Sequence, residues 1–293
     1  MHSTTDLSSA AVAAAPTTSL KIAFIGGGNM ASALIAGLAG KLTAGANIHV
    51  IDPNPAALDK LQGQFGVTTA SGADAALAIC DVIVLAVKPQ SMRAVAAQLL
   101  PFIDAGKAPL VLSIAAGIRG ADLARWLGGY GAIVRCMPNT PALIGLGITG
   151  MVAMAGVSTA QKEAAERILQ AVGGTVWLDD EALIDPVTAV SGSGPAYVFY
   201  FIEAMQEAAE AMGLTAEQGK QLALATFVGA AQLATQSPEP VAVLRDRVTS
   251  KGGTTYAALT SMEHSGIKEA IKVAMYAAAA RGKAMGEELG GVD

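Results

Sequence analysis

Five short runs rich in Val, Ile and Leu punctuate the first half of this chain, and helical stretches separate them. The runs are LKIAFI from residue 20, NIHVI from 47, DVIVLAV from 81, PLVLSIA from 109 and AIVRCM from 132. Residues that are apolar consecutively, rather than at alternate positions, mark strands buried on both faces. Helices are predicted between them over 29–39, 55–65, 89–100 and 118–127. Such alternation predicts a parallel, doubly wound α/β sheet with right-handed crossovers. GITGMVAM and GGTVWL, on either side of a predicted helix at 159–172, extend that sheet.

After Asp179 the strand-like runs stop and helices follow one another, over 181–190, 195–212, 215–235, 238–249, 255–264 and 267–289. Gly213, Gly253 and Gly266 punctuate them as helix-ending or turn glycines. The chain is therefore expected to divide into a leader at 1–19, a dinucleotide-binding domain of the Rossmann type at 20–179, and an all-helical substrate and dimerisation domain at 180–293. Between 187 and 235 the only charged residues are Glu203, Glu207, Glu210, Glu217 and Lys220. A helix left apolar on most sides is buried on most sides, so a second subunit is expected to cover it. The whole composition points the same way: 52% hydrophobic against 15% charged, with mean hydropathy +0.46, excludes a disordered chain and leaves few charges to coat a monomer.

The same hydropathy raises the membrane question. Residues 136–161 contain no charge and are long enough to span a bilayer. Pro138, Pro141, Gly145, Gly147, Gly150 and Gly156 break the segment, so it reads as a loop and a strand. The leader has no Lys or Arg and lacks the basic start of a signal peptide, so a cytoplasmic protein is expected. A net charge of −5 argues against nucleic acid as a partner. Two cysteines, Cys80 and Cys136, suit a reducing compartment, and no Cys/His spacing suggests a metal.

Ile25-Gly26-Gly27-Gly28-Asn29-Met30-Ala31 follows the first run and opens a helix, fitting G-x-G-x-x-A. Gly26 would make the tight turn, Gly28 would let backbone approach a pyrophosphate, and the helix N-terminus would face the phosphates. Asp52 ends the second run and would accept hydrogen bonds from the adenosine ribose of NAD while repelling the 2′-phosphate of NADP. The alternative for Asp52 is simply to begin the Asp-Pro-Asn-Pro turn. No Lys or Arg occurs from 42 to 59, although Asn54 could donate to a phosphate. Ala86-Val87-Lys88-Pro89 and Ala115-Ala116-Gly117 sit at two further strand ends, where ligands bind in open parallel sheets.

The missing groups narrow the reaction. The three histidines are His2, His49 and His264, and no Lys lies between Lys162 and Lys220. An alcohol dehydrogenase needs a positioned proton-transfer group, and a 3-hydroxyacid dehydrogenase of this plan would be expected to carry Lys on the 194–212 helix. A non-catalytic nucleotide-binding protein is the other alternative, but it would have no use for Val248-Thr249-Ser250-Lys251-Gly252-Gly253-Thr254-Thr255. That corner between helices offers consecutive N–H groups suited to a carboxylate. Met137-Pro138-Asn139-Thr140-Pro141 adds a polar loop on the cofactor side, with Asn139 on the substrate side of it. Ser191-Gly192-Ser193-Gly194-Pro195 opens the long helix.

Taken in order, GGGNMA, AVKP, SIAAG, MPNTP, SGSGPAY and TSKGGTTYAAL closely resemble the pyrroline-5-carboxylate reductase family, from Lys21 to Leu289. The resemblance implies NAD(P)H-dependent reduction of a cyclic imine to proline, and a domain-entwined dimer often assembled into a decamer. It implies that Thr255 lies near the imine nitrogen, that Ser250, Gly252, Gly253 and Thr254 hold the carboxylate, and that the 25–30, 86–89 and 115–117 segments line the cofactor. Hydride transfer to C=N needs orientation and one hydrogen bond rather than a strong protein acid, which suits the lack of His and Lys. One departure is Asp52-Pro53-Asn54, where family members often carry Ser, Thr or Asn-Arg; the residues present lean towards NADH.

Overall fold

Residues 20–105 and 107–291 are described in a computed structural model of the chain. The expected leader at 1–19 lies outside the described residues. The chain runs through β1 (Ile22–Ile25), α1 (Asn29–Leu38), β2 (Ile48–Ile51), α2 (Pro55–Phe65), β3 (Thr68–Ala70) and β4 (Val82–Leu85). It continues through α3 (Met92–Ala105), β5 (Leu110–Ser113), α4 (Gly120–Trp126), β6 (Ile133–Met137), β7 (Gly147–Ala153), α5 (Thr159–Gln170) and β8 (Gly173–Trp177). All eight strands form one sheet in the order β3-β2-β1-β4-β5-β6-β7-β8.

The consecutive apolar runs are explained by burial on both faces. Ile22, Phe24, Val82, Val84, Leu110 and Leu112 point into the core under α1 and α5. Their neighbours Ala23, Ile25, Ile83, Leu85 and Val111 point into a second core under α3 and α4. Each large side chain so buried contributes about 1.5–3 kcal/mol. Order reverses at β1, leaving a crevice outside the carboxyl ends of β1 and β4.

The sheet differs from the sequence expectation in direction and number. β6 and β7 are antiparallel, and β8 pairs parallel with β7, so these last two strands oppose the other six. The 138–146 connection is too short for a parallel crossover, which takes roughly a dozen residues or more. β3 was not expected; its sequence TTA lacks the apolar run that marked the others, and it sits on the edge beside β2. The helix expected at 89–100 begins with a 3-10 turn at Pro89–Ser91 and then runs to Ala105 with Pro101 inside it. The one expected at 118–127 is Gly120–Trp126.

Beyond the sheet come a 3-10 turn (Glu181–Leu183), α6 (Ile184–Val187), a π turn (Thr188–Gly192), α7 (Gly194–Ala211), α8 (Ala216–Gln236), α9 (Val241–Arg247), α10 (Thr254–His264) and α11 (Ile267–Leu289). The helix expected at 181–190 is therefore three short pieces, because Ser193 N bonds to Thr188 O and widens the last turn. α9 is likewise shorter than the 238–249 expected. α7 and α8 pack as a hairpin, while α11 returns to α6 and the π turn. Gly282, Gly286 and Gly290 recur every four residues along α11 and its end. A Cβ at 282 would meet Asp185 Oδ1 at 3.3 Å and one at 286 Arg119 Nε at 3.0 Å, while one at 290 would run into Asp122 Oδ2, so glycine is what admits these charged groups. Much of α7 and α8 stays uncovered, with Tyr200 71% and Val228 66% exposed. No helix among the described residues is long and apolar enough to cross a membrane.

Candidate active site

The glycine turn fills the crevice between β1 and β4. Gly26 has φ +100, and a Cβ there would lie 2.6 Å from Ala86 O, so only glycine fits. Gly26 N donates to Ile51 O and Ala86 N to Ile25 O, both at 2.8 Å, which places the first turn against the start of 86–89. Gly28 faces open space as the N-cap of α1, and no side chain caps that helix. Gly28 and Asn29 are exposed while Met30 is half-buried against the core. The unpaired N–H groups of the first turn, with the helix dipole, make a cradle for an anion. These residues fit the diphosphate of a dinucleotide.

Asp52 closes one side of the cradle. Its Oδ2 accepts from Gly27 N at 2.7 Å and its Oδ1 from Asn54 N at 2.8 Å. Both readings of this residue thus have geometry behind them, since it holds the turn and also abuts the glycine loop. Asn54 Oδ1 accepts from Ala56 N at 3.1 Å and caps α2. Lys88 is exposed, while Val87 and Pro89 are half-buried. Gly117 has φ +74 and lies under α11, where a Cβ would sit 3.1 Å from Met285 Cβ. Ala115 is buried and Ala116 half-exposed.

Asn139 is only 9% exposed, and its Oδ1 accepts from Ile148 N at 3.0 Å, so one end of its amide fixes the β6–β7 connection. The π turn rests on the same region: a Cβ on Gly192 would lie 2.5 Å from Met137 Cε.

The 248–255 corner stands apart. Its hydrogen bonds are local, from Thr249 Oγ1 to Arg245 O at 2.6 Å and from Gly253 N to Ser250 O at 2.9 Å. Ser250, Lys251, Gly252 and Thr254 are exposed, Gly253 and Thr255 half-exposed. A Cβ on Gly252 would meet nothing within 4 Å, and α10 packs mainly on α11. The chain therefore does not bring Thr255 onto its own cofactor loops. Gly253 is the N-cap of α10, and no side chain caps it. Asn54, Ser158 and Thr215 cap α2, α5 and α8 with their side chains, whereas α1, α4, α7, α9 and α11 share with α10 the lack of a side-chain cap. Thr226, Thr235, Thr249 and Thr260 each bond back to a carbonyl four residues earlier. Among the described residues the hydroxyls of Ser250, Thr254 and Thr255 make no such bond.

Neither cysteine is placed for nucleophilic work. Both are free and buried; burial, with Asp81 beside it, pushes the Cys80 thiol up to about 11, and burial pushes Cys136 higher still.

A family profile described as "Pyrroline-5-carboxylate reductase dimerisation" matches residues 181–285, and one described as "NADP oxidoreductase coenzyme F420-dependent" matches 21–117. A pyrroline-5-carboxylate reductase of Pseudomonas aeruginosa is 47% identical over 270 residues, covering 92% of this chain and 98% of the relative. The chain belongs to the pyrroline-5-carboxylate reductase family. The solved structure of such a reductase from Coxiella burnetii superposes with TM-score 0.86 at 39% identity, covering 92% of this chain and 99% of the other. That of Plasmodium falciparum pyrroline carboxylate reductase, solved with NADP bound, gives TM-score 0.81 at 32% identity, covering 92% and 98%.

Two chemistry-bearing side chains near this family's cofactor domain escaped the sequence reading. Arg135 lies in β6 at 5% exposure, and its Nη1 meets Glu181 Oε1 at 2.9 Å. The signal was a cation inside the apolar run IVRCM, which has to find an anion when buried.

Proposed function

We propose that the chain reduces 1-pyrroline-5-carboxylate to L-proline, the last step of proline biosynthesis, with NADH or NADPH as the reductant. The reading is carried by the start of α10, an open, glycine-led helix N-terminus with no side-chain cap, beside the hydroxyls of Ser250, Thr254 and Thr255, which make no hydrogen bond among the described residues. An exposed helix start of this kind suits a small carboxylate. Its N–H groups and Ser250 would hold the substrate carboxylate, and Thr255 Oγ1 would hydrogen-bond the imine nitrogen.

When bound, the reduced nicotinamide supplies the hydride that goes to the imine carbon; the nitrogen takes a proton and becomes the amine of proline. The chain's own contribution is orientation: the cradle at 26–30 fixes the diphosphate, Asp52 and Asn54 meet the adenosine ribose, and 86–89 with 115–117 line the path to the nicotinamide. A preformed arrangement of this kind lowers the barrier without a titrating side chain. Within one chain the 248–255 corner packs on α11 and stays open, so the reading places it against the cofactor loops of a second copy. The family's dimerisation profile over 181–285 and the uncovered apolar faces of α7 and α8 support a homodimer, the unit from which a decamer would be built.

Steady-state oxidation of NADH and NADPH by the purified protein with pyrroline-5-carboxylate tests the proposal. Turnover with formation of proline is expected; cofactor binding without turnover would leave only the nucleotide-binding role.

A further inference from the structure

A cavity of about 520 Å³ opens at the seam between sheet and helices, lined in part by Arg119, Arg135, Glu181, Asp185 and Lys283. The reduction as read above uses none of these charged groups. One carboxylate organises the seam. Glu181 Oε1 accepts from Gly120 N at 2.6 Å and from Arg135 Nη1 at 2.9 Å.

Each contact reaches a different part of the site. Gly120 is the first residue of α4, whose N-cap, Arg119, offers no side-chain bond. Glu181 therefore supplies from the helical half the cap that α4 lacks locally, and α4 starts directly after the 115–117 loop. A Cβ at 120 would lie 2.5 Å from Met154 Sδ, so any larger residue there would have to displace that side chain. Arg135 lies on β6 two residues before Met137, on which the π turn rests. Among the described residues Arg135 Nε and Ser113 Oγ, on paired positions of β6 and β5, are both buried without a hydrogen-bond partner. Among the described residues its only ion pair is with Glu181. A buried guanidinium held by a single carboxylate fixes that carboxylate in turn.

We propose that Glu181 is a positioning residue for the reduction. Held by Arg135, its carboxylate sets the start of α4 through Gly120 N, and with it the place of backbone 115–119 against the cofactor. The proposal rests on the reading of 115–117 as a cofactor loop.

The test compares Glu181→Ala, Glu181→Gln and Ala116→Phe with the unaltered protein, by steady-state kinetics and by NADPH binding followed through fluorescence. Glu181→Ala should raise the cofactor KM and Kd about fivefold or more and move the imine KM by less than about twofold. Glu181→Gln keeps a neutral acceptor for Gly120 N and should recover part of the loss. A merely structural role would lower Tm and leave both KM values in place. If folded Glu181→Ala, with unchanged oligomeric state, binds NADPH as the unaltered protein does, the proposal is overturned. Should Glu181→Ala fail to fold, an unchanged cofactor Kd in Glu181→Gln overturns it instead. Ala116→Phe separates the two readings. If it binds NADPH normally, the loop is not a cofactor loop and the route through it falls, whatever Glu181 does. If only Ala116→Phe weakens binding, the loop reading stands and Glu181 is removed.

Discussion

The carboxylate of Asp52 is bonded to Gly27 N and Asn54 N, and among the described residues no cation pairs with it. A 2′-phosphate brought to about 4 Å of it would be repelled by roughly 4 kcal/mol at an effective dielectric near 20, before screening at this half-exposed position reduces the figure severely. NADH should therefore be used at least as well as NADPH, with both productive. Asp52→Ser should raise kcat/KM for NADPH relative to NADH; a strong NADPH preference that this change leaves untouched would mean that the carboxylate does not face the ribose. Thr255 is the other residue at this scale. Thr255→Ala should lower kcat/KM by about 10 to 100-fold, or about 1.4 to 2.7 kcal/mol of transition-state stabilisation, with cofactor Kd nearly unmoved. Wild-type activity in that variant would take the hydroxyl out of the mechanism. The turn at Gly26 is announced by a motif confined to a few neighbouring residues, which is why sequence could describe it, although its contacts reach Ile51 and Ala86. The Arg135–Glu181 pair joins residues 46 apart, and no local pattern announces such a partner.

Elements were legible where one physical cause dominated. Strands buried on both faces wrote themselves as Val/Ile runs, and α2 follows Pro55 to Phe65 as its Asn54 cap and trailing Gly66 require. β3 escaped because an edge strand with half-exposed positions needs no apolar run. The π turn escaped because nothing in the sequence of 184–192 sets the Ser193 N to Thr188 O bond apart from an ordinary helical one, and Gly192 meets Met137 only in the folded chain. Gly37 shows packing overruling propensity in the opposite sense. Inside α1 an alanine would be favoured by about 1 kcal/mol, yet its Cβ would lie 2.5 Å from Ala171 O at the end of α5. Overpacking of this kind costs about 1–3 kcal/mol. Gly37→Ala should therefore lower the denaturation midpoint in urea, and a raised midpoint would show that α1 and α5 part easily.

At the scale of the molecule, composition and the family's dimerisation profile both point to an assembly. The five charges between 187 and 235 leave α7 and α8 without a polar coat, and Phe199, Tyr200, Val228 and Leu233 lie exposed there. Sedimentation at micromolar concentration should show a dimer or larger species, with Tm rising with protein concentration. A well-folded, active monomer would show that these faces tolerate water. Composition alone does not show how the helical half grips the sheet, since that depends on two glycines of α11 and the one that follows it meeting charged groups far back in the chain.

That grip has a consequence for the order in which the protein comes into being. Arg119 reaches Lys283 O across 164 residues, and Arg125 reaches Gly290 O across 165. A ribosome adding about 5–20 residues per second emits the clasp roughly 10 to 30 s after the loop it steadies. The nascent sheet can close its two apolar faces in that interval, while the backbone around Arg119 and Arg125 still lacks its brace. On the proposed reading, the backbone beside 115–117 gains its brace only when the last helix exists, long after the glycine cradle at 26–30 has been made.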